Sequence, residues 1–283
     1  MDADTFAGHR PRLFSVAYRM LGTATDAEDV LQAAWLRVAA AQDVREPAAF
    51  LTTVVTRLCL DELGSARRRR EEYVGPWLPE PVPDAELGPL DTVEQREQVR
   101  FGVLLLLERL SPSERAVCVL RDGFDYPYRE LAEVLGLSEA GCRQLHRRAR
   151  ARLEEGTARF EVEAERHVEL TFALLAAAQQ GDLAALEDLL ASDVVLHSDG
   201  GGRVRAARRL VRSRDHVARF LAGIASGLGD GLEVLPLQVN STPGLRVRTA
   251  GGTDLVALLQ VGPAGVERVF LVSNPDKLGR LAS

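Results

Sequence analysis

The chain has 283 residues, a mean hydropathy of −0.06 and 46% hydrophobic residues, enough for two or three domains that each bury a core, which excludes a disordered or fibrous polypeptide. No apolar run approaches the length of a membrane span, and Asp2, Asp4, His9 and Arg10 precede any apolar stretch, so neither a transmembrane segment nor a signal peptide is expected. Three cysteines, Cys59, Cys118 and Cys142, with no CxxC pair, argue against a disulfide framework or a zinc site and for a reducing cytoplasm.

Residues 5–41 read as two helices. Phe6, Leu13, Phe14, Ala17, Tyr18 and Leu21 line the first, Gly22 ends it, and residues 26–40 form the second with Val30, Leu31, Ala34, Trp35 and Val38 inward. Asp26, Glu28 and Asp29 sit in its opening turn, where the helix dipole favours negative charge. After a connection at 42–47, a third helix runs from residue 48 to about 70 on Phe50, Leu51, Val54, Val55, Leu58, Cys59 and Leu63. It ends in four consecutive arginines, Arg67, Arg68, Arg69 and Arg70. They point all round a helix end, as phosphate contacts without sequence preference do.

Composition then shifts. Residues 71–91 hold five prolines, too many for a helix or a central strand, and read as an extended linker. Tyr73, Trp77 and Leu78 within it have no reason to stay in water, so the linker is expected to dock. A fourth helix is expected from Thr92 to Leu110, and SPSERAV at 111–117 carries a strong N-cap with Pro at the first helical position. Residues 128–153 then give two short helices at three- and four-residue apolar spacing, with Gly136 ending the first and Ser138 capping the second. From Glu139 to Leu153 there are five Arg and one Glu, a local net charge of +4 in a chain of net charge −6. That contrast is the footprint of a DNA-reading helix-turn-helix. A solvated basic face is the competing interpretation. Cys142 faces inward as a small apolar residue, and His146 falls on the same stripe, open to packing or contact.

The last third differs. Two helices are expected at 162–178 and 182–191, a strand at 194–197, a helix at 213–227, and strands at 232–239, 245–249, 255–261 and 266–272. Helices followed by antiparallel strands give an α+β domain. His197, Asp199 and Asp276 are its candidate catalytic groups, although Asp before Gly200, Gly201 and Gly202 is usually a turn former. The glycines also allow backbone to approach a partner closely.

DAEDVLQAAWLRV with FLTTVVTRLCLDEL and the arginine run resembles the promoter-melting domain of bacterial extracytoplasmic-function sigma factors. LSPSERAVCVLRDGFDYPYRELAEVLGLSEAGCRQLHRRARARL resembles their domain for the −35 element. YVGPWLPEPV, DGGGR at 199–203 and NPDKL at 274–278 are similar to strings of a subgroup with a C-terminal SnoaL-like, or NTF2-like, extension. Phe50 stands where many such factors have Trp and Arg57 where many have Asn, while Glu62 and Gly64 take places that are often basic.

The resemblance implies a multidomain chain. Two all-α DNA-binding domains are expected at 1–72 and 92–156, the second a helix-turn-helix, with a Pro-rich linker at 73–91 and an α+β SnoaL/NTF2-like cone at 160–283. Its partners are core RNA polymerase and promoter DNA, with no membrane and no cofactor or metal; an anti-sigma partner is undetermined. Asp26, Glu28, Asp29 and Gln32 are the implied polymerase contacts. The loop Asp43, Val44, Arg45 to Pro47 is expected to receive a flipped base of the melted −10 strand, with Thr52, Thr56 and Arg57 along the same helix. Arg143, Gln144 and Arg147 are expected to read −35 base edges, and Arg148 and Arg150 to hold phosphate. Trp77, Leu78, Pro79, Glu80 and Pro81 in the linker, Asp199 to Gly202, and Asn274, Pro275, Asp276, Lys277 and Leu278 form the expected regulatory contact set. A helix-turn-helix regulator that works without polymerase, and a sigma factor whose last domain binds a ligand or catalyses, are the alternatives.

Overall fold

The computed structural model describes residues 1–41, 44–88, 92–154, 164–229, 231–249, 252 and 254–281. The chain divides into two compact units, one of residues 1–72 with 82–157 and one of residues 73–81 with 158–283. The Pro-rich stretch is therefore divided: its first nine residues pack with the C-terminal unit.

The first unit is helical. Helices α1 (Ala3–Leu21) and α2 (Ala24–Val38) begin at Asp2 and Thr23, whose side chains accept from the Thr5 and Asp26 amides. Gly22 closes α1 at φ 78°, its N–H bonded to the Tyr18 carbonyl, a geometry that favours glycine. Helix α3 (Pro47–Glu71) packs on both, and then also on α6 (Pro112–Phe124) and α7 (Tyr128–Leu135). One core runs through the unit, from Leu13, Leu31 and Leu51 to Leu120, Leu131 and Cys142, all at most 1% exposed. The helix expected between Thr92 and Leu110 is instead two, α4 (Val93–Glu97) and α5 (Phe101–Leu107). The chain turns extended at Arg100, ψ 141°, and this buries Val99 and Phe101 on either side of the break. No Gly or Pro at 98–100 announces it.

The second unit is α+β, as expected. Helices α9 (Ala164–Gln180), α10 (Leu183–Leu189) and α11 (Arg214–Leu228) pack on a sheet of β1 (Leu190–Asp199), β2 (Val211–Arg212), β3 (Glu233–Val239), β4 (Thr242–Arg248), β5 (Asp254–Gly262) and β6 (Gly265–Val272). The strand order is β2-β1-β6-β5-β4-β3. The expected run of antiparallel strands is corrected at one pair: β6 lies parallel to β1, with His197 opposite Phe270 and Asp199 opposite Val272. Strand β1 also starts four residues earlier than its apolar core suggested, since α10 ends at Leu189 and the extended backbone of Leu190 begins the sheet. Leu174, Leu186, Leu196, Val217, Leu259 and Leu271 build the core between helices and sheet. Val256, Leu258, Phe270, Val272 and Asp199 are buried on the strands as well.

Candidate functional site

The recognition helix is α8 (Glu139–Glu154). Gly136 ends α7 in the left-handed region at φ 66°, and the Ser138 hydroxyl accepts from the Gly141 amide at 3.0 Å, so both turn signals act as the sequence implies. Cys142 and Ala149 are fully buried, which fixes the rotation of the helix. His146 is buried too, with Nε2 2.9 Å from Asp122 Oδ1 and Nδ1 2.7 Å from the Tyr128 hydroxyl. It is thus a polar strut joining α6, α7 and α8. Arg143, Gln144, Arg147 and Arg148 are exposed on the opposite side, and Arg150 is half-buried with a guanidinium nitrogen 3.6 Å from Asp122. Arg143 pairs with Glu139 at 2.8 Å and lies 5.2 Å over the Tyr128 ring. The ion pair is exposed and cheap to exchange for another acceptor. Burial pushes the Cys118 thiol up to about 12 and raises Cys142, so neither is a thiolate near neutrality.

Helix α3 departs from expectation. Thr52 and Thr56, expected as contacts to the melted strand, have no exposed surface; the Thr52 hydroxyl donates to the Ala48 carbonyl at 2.8 Å. The reason is that α3 is covered on more than one side, by α1 and α2 and by α6 and α7. Arg57 donates to the Val134 and Glu133 carbonyls at 3.2 and 3.3 Å, at the C-terminal end of α7 where a cation meets the negative end of the dipole. Arg70 is a second correction. It pairs with Glu108 and donates to the Leu21 carbonyl, and Arg115 joins the same carboxylate while donating to the Met20 carbonyl at 2.8 Å. Two guanidiniums thus cap α1, so Arg70 acts inside the protein rather than on phosphate. The side chains of Arg67, Arg68 and Arg69, and Asp43 altogether, lie outside the described residues. Val44 is half-buried and Arg45 exposed, next to a 450 Å³ cleft bordered by Glu46, Pro47, Phe124 and Tyr126. Phe50, expected inward, is 36% exposed at the start of α3 beside it.

On α2, Asp29 and Gln32 are exposed, Asp26 serves the N-cap, and Glu28 pairs with Arg10. Leu36 is 77% exposed, one turn beyond Gln32. Sequence reasoning passed over it, although a leucine off the inward stripe of an amphipathic helix is the available signal.

In the second unit a buried ion pair receives the linker. Asp199 is completely buried and Lys277 nearly so; Lys277 Nζ is 2.7 Å from Asp199 Oδ2, donates to the Leu78 carbonyl, and stands 4.5 and 5.0 Å from the Trp77 and Tyr73 ring centres. Asp199 accepts from the Leu78 amide at 2.8 Å and from the Tyr73 hydroxyl, while its own carbonyl accepts from the Ser273 and Asn274 amides. Asn274 Nδ2 donates to the Tyr73 oxygen at 2.9 Å. Burial, reinforced by Asp199, raises the Tyr73 pKa and keeps the phenol protonated as a donor. Gly201, φ 60°, lies so close to Asn274 that a Cβ there would stand 2.3 Å from its Nδ2. Gly200 and Gly202 complete the turn, the latter against Val74. Pro79, Glu80, Pro81 and Leu278 are buried, and Glu80 is 3.5 Å from Arg280 Nε. Pro275 and Asp276 are exposed, the latter 3.2 Å from an Arg203 guanidinium nitrogen. The sequence marked Tyr73 as out of place in water without assigning it a role.

Residues 5–69 match Sigma-70 region 2 and residues 100–153 match Sigma-70, region 4. The ECF RNA polymerase sigma factor SigJ of Mycobacterium tuberculosis (strain ATCC 25618 / H37Rv) is 41% identical over 98% of this chain and 93% of its own length. The chain belongs to the ECF RNA polymerase sigma factors. The probable ECF RNA polymerase sigma factor SigI of the same species (strain CDC 1551 / Oshkosh) is 34% identical over 75% of this chain and 77% of its own. A crystal structure of Mycobacterium tuberculosis SigJ superposes with a TM-score of 0.77 at 37% identity, covering 98% of both chains.

This sigma factor directs RNA polymerase, and its relatives are sigma factors rather than enzymes. Of the three candidate catalytic groups, Asp199 and Asp276 are paired as above, and the His197 ring stands 5.5 Å from that of Phe270. The cleft between α9 and the β3–β4 hairpin is lined by groups such as Val168, Phe172, Pro236 and Leu245, with no acid or histidine among its described lining residues. No helix among the described residues is long and apolar enough to cross a membrane.

Proposed function

We propose that this sigma factor brings core polymerase, in the cytoplasm, to promoters with paired −35 and −10 elements, and that its C-terminal unit tunes that activity by holding the linker between its two DNA-binding parts. The proposed parts are residues 1–72 for promoter melting, 73–91 as linker, 92–156 for the −35 element and 160–283 for regulation. Arg143, Gln144 and Arg147 read base edges, because forked side chains on an exposed face of a helix fixed by buried Cys142, His146 and Ala149 present two donors or acceptors to one base. Arg148 and Arg150 hold phosphate. Asp29, Gln32 and Leu36 form the polymerase-docking face of α2, with Asp26 and Glu28 flanking it. Arg45 and Phe50 meet the melted strand; Arg57 joins them only when it leaves the α7 carbonyls.

The observation that carries the regulatory part is the Asp199–Lys277 pair, which bonds both the amide and the carbonyl of Leu78. A backbone held from both sides by a buried pair is fixed in direction, so the clasp adds a restraint on the linker to the packing of α3 on α6 and α7. Transcription with core polymerase tests the whole. Full-length protein is expected to give specific initiation, and Lys277→Met or removal of residues from 165 onward to change promoter output at equal sigma concentration. Duplex binding without initiation supports a regulator that works without polymerase; unchanged output from both variants removes the regulatory role.

A further inference from the structure

Residues 203–214 hold six arginines in twelve positions, Arg203, Arg205, Arg208, Arg209, Arg212 and Arg214, and no acid. We infer that this segment of the C-terminal unit is a third DNA contact, one that grips duplex phosphates beside the promoter without reading bases. The inference rests on the sigma-factor reading only for where the DNA comes from.

Two of the six are engaged or sheltered. Arg203 pairs with Asp276, and Arg214 is half-buried at the start of α11. Arg205, Arg208, Arg209 and Arg212 are all exposed, and among the described residues none has a carboxylate partner. Four unneutralised guanidiniums within eight residues repel one another, which a chain of net charge −6 had ample acid to relieve. Several surface arginines elsewhere are paired with acids one turn away, as in Arg143–Glu139, Arg166–Glu169 and Arg219–Asp215.

The loop that carries them is held in place. The Arg203 and Val204 amides bond to the Gly200 carbonyl at 2.9 and 3.2 Å, the Ala207 carbonyl lies 3.3 Å from where a Cβ of Gly75 would stand, and Arg212 sits on edge strand β2 opposite Val195. The backbone is therefore held beneath exposed charged heads, which suits a backbone-phosphate site. Guanidiniums take phosphate oxygens two at a time. Duplex DNA is a better partner than protein here, because a protein interface needs an apolar centre depleted of charge. Between the arginines stand alanines, one serine, half-buried Leu210 and Val211, and a single exposed large apolar residue, Val204. No aromatic lies in the segment, so stacking on single-stranded bases is not what it offers.

The test is a full-length variant with Arg205→Gln, Arg208→Gln, Arg209→Gln and Arg212→Gln, compared with the parent for binding to a promoter duplex and a scrambled duplex over a salt series, alone and in complex with core polymerase. Circular dichroism and a melting curve establish that the variant is folded; if it is not, each arginine is changed singly. Four lost phosphate contacts should make the slope of log K against log salt shallower by about 3 to 4. Each single change should remove roughly a quarter of that, and the loss should be equal on both duplexes. Arg147→Ala should instead reduce the preference for the promoter duplex. Slopes and affinities equal to the parent's overturn the inference, as does a parent with no salt-dependent duplex binding in either form. A defect confined to polymerase affinity also overturns it, by giving the patch a protein partner. Failure of the sigma-factor reading would show separately, as a parent that binds both duplexes alike even with core polymerase.

Discussion

Lys277 is the one lysine among 35 basic residues, and it stands where an arginine would fit badly. A compact ammonium can approach Asp199, the Leu78 carbonyl and two ring faces together, whereas a planar fork would have to choose among them. Lys277→Met leaves the Asp199 carboxylate buried with no countercharge, and calorimetry should record a loss of about 3–5 kcal/mol from the C-terminal unit. Adding Asp199→Asn to it should cost much less than the sum of the two single changes, since both remove one interaction. Lys277, Asp199 and Leu78 were legible in the sequence only as members of three short strings; that they meet in one pair was not, because Leu78 and Asp199 lie 121 positions apart. The cysteines were legible one by one. With Cys59, Cys118 and Cys142 all buried and their thiols held protonated by burial, mass spectrometry should find no alkylation of the native protein at neutral pH. Rapid labelling of Cys142 would show that α8 does not sit as described.

Among the helices, α6 has the start most clearly written in the chain. Ser111 and Glu114 exchange bonds in a capping box with Pro112 at the first turn. Ser111→Ala should lower stability by about 1 kcal/mol, measured by denaturant titration. Burial raises the Glu114 carboxyl, but the Ser111 amide and hydroxyl together with Arg152 and Arg148 outweigh it, and its pKa lies below the usual value. A carboxyl depressed in the folded state contributes stability that is complete above the unfolded value, near 4.5, and disappears as pH falls through the lower folded one. Glu114→Gln should therefore flatten the acid limb of the melting temperature below about pH 4.5, in the range where ordinary glutamates titrate. Caps and inward stripes could be read because they depend on residues three or four apart. The break at Arg100 could not, since the run from Val103 to Leu107 is apolar at every position and carries no period. Asn240 and Ser241 hid only where β4 begins, expected at 245 and found at 242: both take positive φ, 53° and 50°, without the glycine that usually announces such a tight turn. The buried Thr52 and Thr56 failed for a different reason. A helix covered on several sides loses the distinction between inward and outward on which periodicity rests.

At the scale of the molecule, Glu108 ties the helical unit together. Its carboxylate holds Arg70 of α3 and Arg115 of α6, and both arginines reach the last carbonyls of α1. Glu108→Gln strips the countercharge from two largely buried guanidiniums and should destabilise the unit by about 3–5 kcal/mol. Because one core spans residues from both Sigma-70 regions, that loss should lower a single cooperative transition; separate melting of residues 1–72 would contradict a shared core. The sequence suggested independent bodies on a tether, since composition marks a proline-rich boundary but not to which side its two halves attach. The sheet carries a consequence of its own. Strand β6 is last of the six in chain order yet lies between β1 and β5, and the lysine that seizes Leu78 follows it directly. During synthesis on the ribosome, the DNA-reading helices emerge more than a hundred residues before the sheet can close. A nascent or prematurely stopped chain thus carries both readers on their shared core but with the linker unclasped, and only translation through Lys277 adds the clasp.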